Sequence, residues 1–214
     1  MMTDSWLSDT RTSYDTDAFG YADKVRGLLE ESPYLRASLA LFAELVRAAG
    51  GGRVVDVGCG PGYVTDYLHH LGVDAFGIDL SPGMIAIARR DYPDLDFEVG
   101  TMTDLDLADD SVTGVLAFWS VIHVPDHAVP AVFAQFHRVL HPGCPLLVGF
   151  HVGDGTRHRS EGYSGGSINV DSHRRRPNEV ARWLREARFT IEAELVMRPD
   201  EETPGAIIIA RSQI

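Results

Sequence analysis

The sequence predicts an α/β fold: a doubly wound, seven-stranded, mostly parallel sheet with an antiparallel last strand, preceded by N-terminal helices. Short runs of β-branched and aromatic residues alternate along the chain with longer segments whose apolar residues have a helical period. Strands that alternate with helices form parallel sheets covered by helices on both faces. The length of 214 residues suits one such domain with some appended segments.

The predicted boundary between the N-terminal helices and the sheet domain lies at three consecutive glycines, residues 50–52. Residues 1–50 then form a helical cap and residues 51–214 form the sheet domain. The first 13 residues are polar and are expected to be mobile unless Trp6 and Leu7 dock on the rest of the chain. Two helices follow in the cap, because apolar residues repeat there every three or four positions.

The sheet domain is predicted as alternating strands and helices. Its first strand begins near Val54 and leads through a glycine-rich turn into a helix over 63–71. Further strands are predicted over 75–79, 95–99, 112–119, 145–150, 190–197 and 206–210, and further helices over 81–92, 127–140 and 177–188. The last two strands are expected to pair antiparallel. Residues 153–172 are rich in Gly and Ser and lack periodicity, which predicts a long functional loop on the substrate side.

The composition argues against several classes of partner. A formal net charge of −12 disfavours nucleic acid, and the one basic run, at 174–176, is predicted to be the solvated start of a helix. No apolar run approaches the roughly 20 residues that a membrane span needs, and the polar N-terminus does not resemble a signal peptide. Cys59 and Cys144 lie far apart and in no zinc or redox spacing, which favours a reduced, cytoplasmic setting.

The stretch VVDVGCGPG, from Val54 to Gly62, predicts a ligand site. The valines favour a buried strand, and three glycines within five positions favour a tight turn that a ligand can approach closely. Ligands of parallel sheets bind beyond the carboxyl ends of the strands. Asp79 ends the next predicted strand, 21 residues after Gly58, where an acid can accept ribose hydroxyls.

Two kinds of nucleotide-like ligand compete for this turn. A dinucleotide site has the pattern G-x-G-x-x-G. Gly58 and Gly60 fit that pattern, but its third position is Tyr63, and Gly62 comes one residue early. Asp56 precedes the first glycine by two residues, where the dinucleotide pattern requires no acid and where a carboxylate could hold a cationic group of the ligand.

The residues DVGCGPG at 56–62 resemble the D-x-G-C-G-x-G signature of the class I S-adenosylmethionine-dependent methyltransferases. GIDLS at 77–81 and LHPG at 140–143 resemble two further motifs of that family. The resemblance covers about residues 50–210 in consistent order. It implies a Rossmann-like fold, S-adenosyl-L-methionine as cofactor and S-adenosyl-L-homocysteine as product.

The resemblance also implies roles for single residues. Asp56, through neighbouring amides or water, would favour the ammonium end of the methionine moiety. Gly58 and Gly60 would let the backbone approach the cofactor, and Asp79 would accept both ribose hydroxyls. Further cofactor contacts are expected from Tyr21, Cys59, Leu80, Met84, Thr101, Met102 and Trp119.

Two of these contacts are specified further, and two positions depart from the family pattern. Met102 would pack on the adenine, and Trp119 or the residue after it would touch the methionine portion. Many relatives carry an acid that binds the adenine amino group; here Thr101 stands at that position, so either Thr101 or Asp104 would make the contact. Cys144 replaces the second glycine of the 140–143 turn.

The candidate catalytic residues are His123, His151 and Tyr14. Methyl transfer mainly requires an aligned acceptor and excluded water, and a base helps when the acceptor is a phenol, an amine or an indole carbon. His123 is expected at the end of the fourth strand, in SVIHVPD, which resembles the family's L-H-H-x-x-D segment, and His151 ends the predicted fifth strand. Tyr14 and Tyr21 fit a Y-D-x-x-A-x-x-Y pattern that forms a lid over the cofactor in relatives. For each of these residues a purely structural role is the alternative. Further candidates for the acceptor pocket are His158, Tyr163 and His173.

The sequence therefore predicts a methyltransferase for a small aromatic or heteroaromatic acceptor, such as an indole or phenol of secondary metabolism, modified on O, N or C. The protein would be a monomer or homodimer without a catalytic metal, because its histidines have no supporting acid at ligand spacing. A non-catalytic S-adenosylmethionine-binding sensor or partner subunit is the alternative, and a dehydrogenase ranks third.

Overall fold

The computed structural model describes residues 5–213 of the chain. The described strands are β1 (Arg53–Val57), β2 (Asp74–Asp79), β3 (Phe97–Val99), β4 (Gly114–Phe118), β5 (Pro145–His151), β6 (Thr156–Glu161), β7 (Ser167–His173), β8 (Phe189–Met197) and β9 (Gly205–Ser212). The described α-helices are α1 (Ser5–Thr16), α2 (Ala18–Val25), α3 (Leu28–Glu31), α4 (Pro33–Ala48), α5 (Tyr63–His70), α6 (Pro82–Asp91), α7 (Val129–Val139) and α8 (Pro177–Glu186), and a 3-10 turn covers Val121–His123. Residues 1–4, part of the segment expected to be mobile, and residue 214 lie outside the described residues.

Seven strands form one sheet in the order β3-β2-β1-β4-β5-β9-β8, and β6 and β7 form a separate hairpin. Strands β1 to β5 pair in parallel, whereas β9 pairs antiparallel with both β5 and β8. This topology confirms the predicted doubly wound, mostly parallel sheet and the antiparallel pairing of its last two strands. The strand order reverses between β1 and β4, so a crevice opens at the carboxyl ends of these strands.

Helices cover both faces of the sheet, because successive side chains of a strand point to opposite faces. Val54 and Leu116 pack with α4 and α5 on one face, and Val55 and Val115 pack with α7 and α8 on the other. Helix α4, which the sequence-based division assigned to the cap, therefore forms one layer of the sheet domain.

The N-terminal segment is more regular than expected. Residues 5–13 form most of helix α1, so the exception that the prediction made for docked residues applies to them. Trp6 packs against the main hydrophobic core, which is the docking that the sequence left open. The Ser13 hydroxyl accepts a hydrogen bond of 2.9 Å from the backbone N–H of Asn169 in β7, which fixes the far end of the helix.

The expectation of an irregular loop over 153–172 is also wrong, because this segment contains the β6–β7 hairpin. Most of its side chains are at least partly exposed on both faces, so the hairpin has no apolar alternation that a sequence pattern could detect. Its tip is fixed by Asp17, whose carboxylate accepts hydrogen bonds from the backbone N–H groups of Tyr163 at 2.5 Å and Ser164 at 2.9 Å.

His123 was expected at the end of the fourth strand, but it lies in the 3-10 turn that follows β4. The strand ends at Phe118, because Trp119 adopts a positive φ of 55°, which turns the chain out of the sheet. A bulky residue such as Trp119 rarely adopts this backbone conformation. Residues in such rare conformations cluster at functional sites.

The basic run at 174–176 does not form a solvated helix start, and the prediction is wrong for its central residue. Arg175 is 2% exposed, and its guanidinium donates to Val121 O at 2.9 Å, to Val124 O and to Asp126 at 3.0 Å. The Val121 carbonyl also accepts the Val124 backbone N–H at 3.1 Å, so the buried cation adds a second donor there and supplies the donor to the Val124 carbonyl. Arg176 remains exposed and pairs with a carboxylate at the surface.

Candidate active site

The glycine-rich turn lies at the crevice and borders a cavity that we call the inner cleft. Gly58 has a φ of 77° and lies against Ser120, leaving no room there for a side chain. Gly60 has a φ of 56°, and a Cβ atom at this position would meet only the Tyr21 ring, at 3.6 Å. The backbone of Gly60 therefore faces open space in the cleft, where a ligand can approach it.

Asp79 is the acidic group of the inner cleft. One of its carboxylate oxygens accepts the Gly60 N–H at 2.8 Å, and the other accepts the Ser81 N–H at 2.8 Å. Burial raises the pKa of Asp79 to about 6, against the pull of these two hydrogen bonds. Each oxygen keeps a lone pair, so the fixed carboxylate suits the two hydroxyls of a ribose.

The remaining wall of the inner cleft is mainly apolar and suits a flat ring. It includes Ile78, Leu80, Met102 and Trp119, together with the hydroxyl-bearing Thr101. Asp104, the other candidate for an adenine contact, is exposed and does not line this cleft. The geometry therefore favours Thr101 of the two.

Three residues that were expected to touch the cofactor lie behind the wall of the cleft. Asp56 is buried; one oxygen accepts the Thr65 hydroxyl at 2.8 Å, the other has no hydrogen-bond partner among the described residues, and burial raises its pKa to about 7. Cys59 packs beside Phe97, and Met84 is fully buried. None of these three residues lines the inner cleft, so their contact with the cofactor stays a prediction.

A second, larger cavity of about 690 Å³, the outer cavity, adjoins the inner cleft. Side chains from α2 to α4, from the β6–β7 hairpin and from the end of β8 surround it. The residues that line both cavities are Tyr14, Tyr21, Phe118, Trp119 and His123. Four of these five residues were predicted from the sequence as candidate site residues. Phe118 was not, because its position in an apolar run is typical of an ordinary strand residue.

Tyr14 and His123 form a hydrogen-bonded pair in this shared wall. The Tyr14 hydroxyl lies 2.7 Å from His123 Nε2, and His123 Nδ1 lies 2.7 Å from the carbonyl oxygen of Asp171. Because a carbonyl only accepts, Nδ1 carries the proton and Nε2 accepts the phenol proton. Burial lowers the pKa of His123 to about 4 and raises the pKa of Tyr14, so both groups are neutral near pH 7.

His151 lies at the end of β5 and lines the outer cavity only. Its Nδ1 accepts the indole N–H of Trp119 at 3.3 Å, so the neutral ring carries its proton on Nε2. Burial lowers the pKa of His151, and the neighbouring cations Arg174 and Arg157 act in the same direction. His151 is thus a neutral hydrogen-bond donor at some distance from the Tyr14–His123 pair.

The other candidates separate into those inside and those outside the outer cavity. Tyr163 lines it, whereas His158 bonds the Asp171 side chain at 2.8 Å and His173 bonds Thr156 at 2.8 Å. Sequence reasoning missed the arginines of the hairpin, which the alternating pattern R-H-R at 157–159 could have indicated.

Within residues 5–213, no three His, Cys, Asp or Glu side chains lie together in a way that could hold a metal ion. The same part of the chain contains no helix that is both long and apolar enough to cross a membrane.

Comparison with known proteins agrees with this geometry. Residues 54–143 match a protein family described as a methyltransferase domain. A probable S-adenosylmethionine-dependent methyltransferase from Mycolicibacterium smegmatis is 32% identical over 124 residues, which are 58% of this chain and 48% of the relative. A demethylmenaquinone methyltransferase from Renibacterium salmoninarum is 33% identical over 108 residues, which are 50% of this chain and 45% of the relative. The matches thus span about half the length of these curated relatives.

A solved structure extends the likeness to nearly the whole chain. The 1,6-didemethyltoxoflavin-N1-methyltransferase of Burkholderia thailandensis, with its substrate and S-adenosylhomocysteine bound, has a TM-score of 0.70. The alignment covers 98% of this chain and 90% of that chain at 20% sequence identity, so it speaks for the fold alone.

Residues 54–143 thus match a methyltransferase domain, and nearly the whole chain shares the Rossmann-like fold of solved S-adenosylmethionine-dependent methyltransferases. Two solved methyltransferases with this fold hold S-adenosylhomocysteine, the product of the S-adenosylmethionine cofactor. The inner cleft fits that cofactor, because it joins a fixed acid for the ribose, an open glycine backbone and apolar walls for the adenine.

Proposed function

We propose that this chain is an S-adenosylmethionine-dependent methyltransferase for a small aromatic or heteroaromatic acceptor, modified at oxygen, nitrogen or an electron-rich carbon. The observation that carries the proposal is the wall common to both cavities, which contains Tyr14, Trp119 and His123. A cofactor in the inner cleft and an acceptor in the outer cavity would meet at this wall. Methyl transfer needs such alignment of the reacting atoms more than it needs covalent help from the protein.

The residues proposed to hold the cofactor follow from the inner cleft. Asp79 accepts the ribose hydroxyls, Gly60 offers its backbone, and Met102 packs on the adenine. Trp119 lies at the boundary with the outer cavity, where the methionine portion would end. When bound, S-adenosylmethionine supplies a methyl group that is already attached to a good leaving group.

Tyr14 and His123 are proposed to manage the proton of the acceptor. The Tyr14 hydroxyl donates to His123, so the lone pairs of its oxygen remain available to a phenol, amine or indole N–H in the outer cavity. An acceptor that loses a proton would pass it to Tyr14 while His123 takes the phenol proton. His151 is proposed to orient the acceptor, because it lines the outer cavity as a donor. Aromatic walls around the junction favour a flat acceptor.

The alternative is a sensor or partner subunit that binds the cofactor without catalysis. Such a protein needs only the inner cleft, whereas this chain also has a large cavity that shares its wall. The outer cavity and the hydrogen-bonded pair in its wall therefore favour an enzyme.

Two measurements test the proposal. Calorimetry should show binding of S-adenosylhomocysteine and no binding of NAD, and binding of NAD alone would refute the assignment of the cofactor. Transfer of a tritiated methyl group from S-adenosylmethionine should then be measured with a library of phenols, indoles and N-heterocycles. Tight cofactor binding without transfer to any library member would favour the sensor or partner subunit.

A further inference from the structure

The outer cavity is positively charged, although the whole chain carries a formal net charge of −12. Five basic side chains line it, and only Glu31 and Glu201 oppose them. The basic residues are Lys24, Arg157, Arg159, Arg174 and Arg198. A cavity lined by positive charges attracts anionic ligands, even when the protein as a whole is negatively charged.

Three of these arginines come from the β6–β7 hairpin and the residue that follows it. Arg157 and Arg159 are two positions apart on β6, so both side chains point to the same face of the hairpin. The intervening His158 lies on the opposite face, where it bonds Asp171. Arg174 is held beside them by its backbone N–H, which donates to Gly155 O at 2.9 Å.

The pairing of these arginines differs from that of the arginines that form surface ion pairs. The Arg174 side chain donates only to neutral acceptors, the Glu202 carbonyl at 3.3 Å and the Thr203 hydroxyl at 3.0 Å. The Arg157 side chain has no hydrogen-bond or ion-pair partner within the described part of the chain. By contrast, Arg176 pairs with Asp154 at 2.6 Å, and other surface arginines also have carboxylate partners.

The acidic groups on the outer side of the hairpin do not neutralise this pair. Asp154 and Glu202 border a small neighbouring cavity together with Arg157 and Arg174. Asp154 is engaged with Arg176, and the hydrogen bond from Arg174 to Glu202 goes to its backbone carbonyl. Two guanidinium groups therefore face the cavity without a carboxylate at ion-pair distance.

We propose that Arg157 and Arg174 form a binding site for an anionic group, a carboxylate or a phosphate, that is part of the acceptor. Guanidinium groups bind such planar or tetrahedral oxyanions through paired N–H donors. The acceptor would then be an aromatic or heteroaromatic acid, with its anionic group at the hairpin and its nucleophilic atom at Tyr14 and His123. This inference rests on the proposed function, because it assigns the outer cavity to the acceptor.

Binding measurements with matched probes test the anion site. The protein is first saturated with S-adenosylhomocysteine, and the affinities of 4-hydroxybenzoate, 4-hydroxyphenylacetate and indole-3-carboxylate are compared with those of their primary amides. Phenyl phosphate and phenol form a second arm, which separates phosphate from carboxylate recognition. We expect the anionic member of at least one arm to bind about tenfold more tightly than its neutral partner.

The double substitution Arg157→Gln and Arg174→Gln should abolish this preference without weakening the binding of S-adenosylhomocysteine. Arg182→Gln is the matched control, because Arg182 pairs with Glu186 on the exposed side of α8, away from the cavity. Equal binding of anionic and neutral probes, a preference that survives the double substitution, or no binding of any probe would overturn the inference. Failure of the proposed function would instead appear as loss of S-adenosylhomocysteine binding or of methyl transfer.

Discussion

Replacement of Asp79 by asparagine tests how the inner cleft holds the cofactor. Both oxygens of Asp79 accept backbone N–H groups, from Gly60 and from Ser81, each at 2.8 Å. An asparagine offers one oxygen and one NH2 group, so one of these N–H donors must lose its acceptor and face another donor. This mismatch lowers the stability of the free and the bound protein alike. Binding is weakened because the ribose hydroxyls lose a charged acceptor, and a hydrogen bond to a charged group contributes about 1.5–3 kcal/mol. We therefore expect Asp79→Asn to weaken S-adenosylhomocysteine binding by roughly 10- to 100-fold.

The same carboxylate should make cofactor binding depend on pH. Burial raises the pKa of Asp79 to about 6, so the carboxylate is ionised at pH 7.5 and mostly protonated at pH 5. Ribose hydroxyls favour the ionised form, because a protonated carboxyl loses acceptor strength. Affinity should therefore fall as the pH drops below about 6, by at most about tenfold per pH unit.

Isothermal titration calorimetry with S-adenosylhomocysteine at pH 7.5 and pH 5 measures both effects. Asp104→Asn is the control, because Asp104 is exposed and lies outside the cleft. Asp56→Asn tests whether the pH dependence comes instead from Asp56, the second buried acid of this region, because burial raises the pKa of Asp56 to about 7. Unchanged affinity in Asp79→Asn, or a pH dependence that disappears in Asp56→Asn and persists in Asp79→Asn, would refute the role given to Asp79.

Three further substitutions test the rest of the structure. Tyr14→Phe removes the hydroxyl that bonds His123. For an acceptor that loses a proton, this change should lower kcat about 100-fold and leave the affinity for the cofactor unchanged. An unchanged kcat in steady-state assays would exclude the pair from the mechanism. Asp17→Ala frees the hairpin tip and should raise the KM of the acceptor, with a loss of about 1–3 kcal/mol in unfolding free energy by denaturant titration; an unchanged KM would contradict its link to the outer cavity. Arg175→Met removes the side-chain donor to the Val124 carbonyl and should destabilise the fold by about 1–3 kcal/mol, whereas an equal effect of the exposed Arg176→Met would show that burial is not the cause.

The sheet and the inner cleft were the parts that the sequence could predict. Buried parallel strands consist of apolar runs, and the glycine turn with Asp79 has a spacing that few other structures share. The parallel pairing followed from the alternation of strands and helices, whereas the strand order was not predicted. Local sequence patterns determine these features, so they can be predicted before the fold is known.

The outer cavity could be predicted only in part, because distant segments form it. The hairpin strands have exposed polar side chains on both faces, and their position depends on Asp17, more than 100 residues earlier in the chain. Burial of Arg175 depends on carbonyls that only the turn after β4 exposes. Tyr14 and His123 were candidates from their motifs, but their contact spans 109 positions and is invisible in either motif alone.

The end of helix α1 connects the two halves of the site through consecutive side chains. Ser13 bonds β7 and Asp17 bonds the hairpin tip, whereas Asp15 accepts the Ser81 hydroxyl at 2.5 Å and the Gly83 N–H at 2.8 Å at the start of α6. Tyr14, between them, reaches the wall that both cavities share. Under the proposed function, these bonds couple the part of the outer cavity that the hairpin forms to the start of α6 beside the inner cleft. Exchange of α1 and the hairpin together between relatives would then be expected to change the acceptor while the glycine-rich turn and Asp79 stay in place.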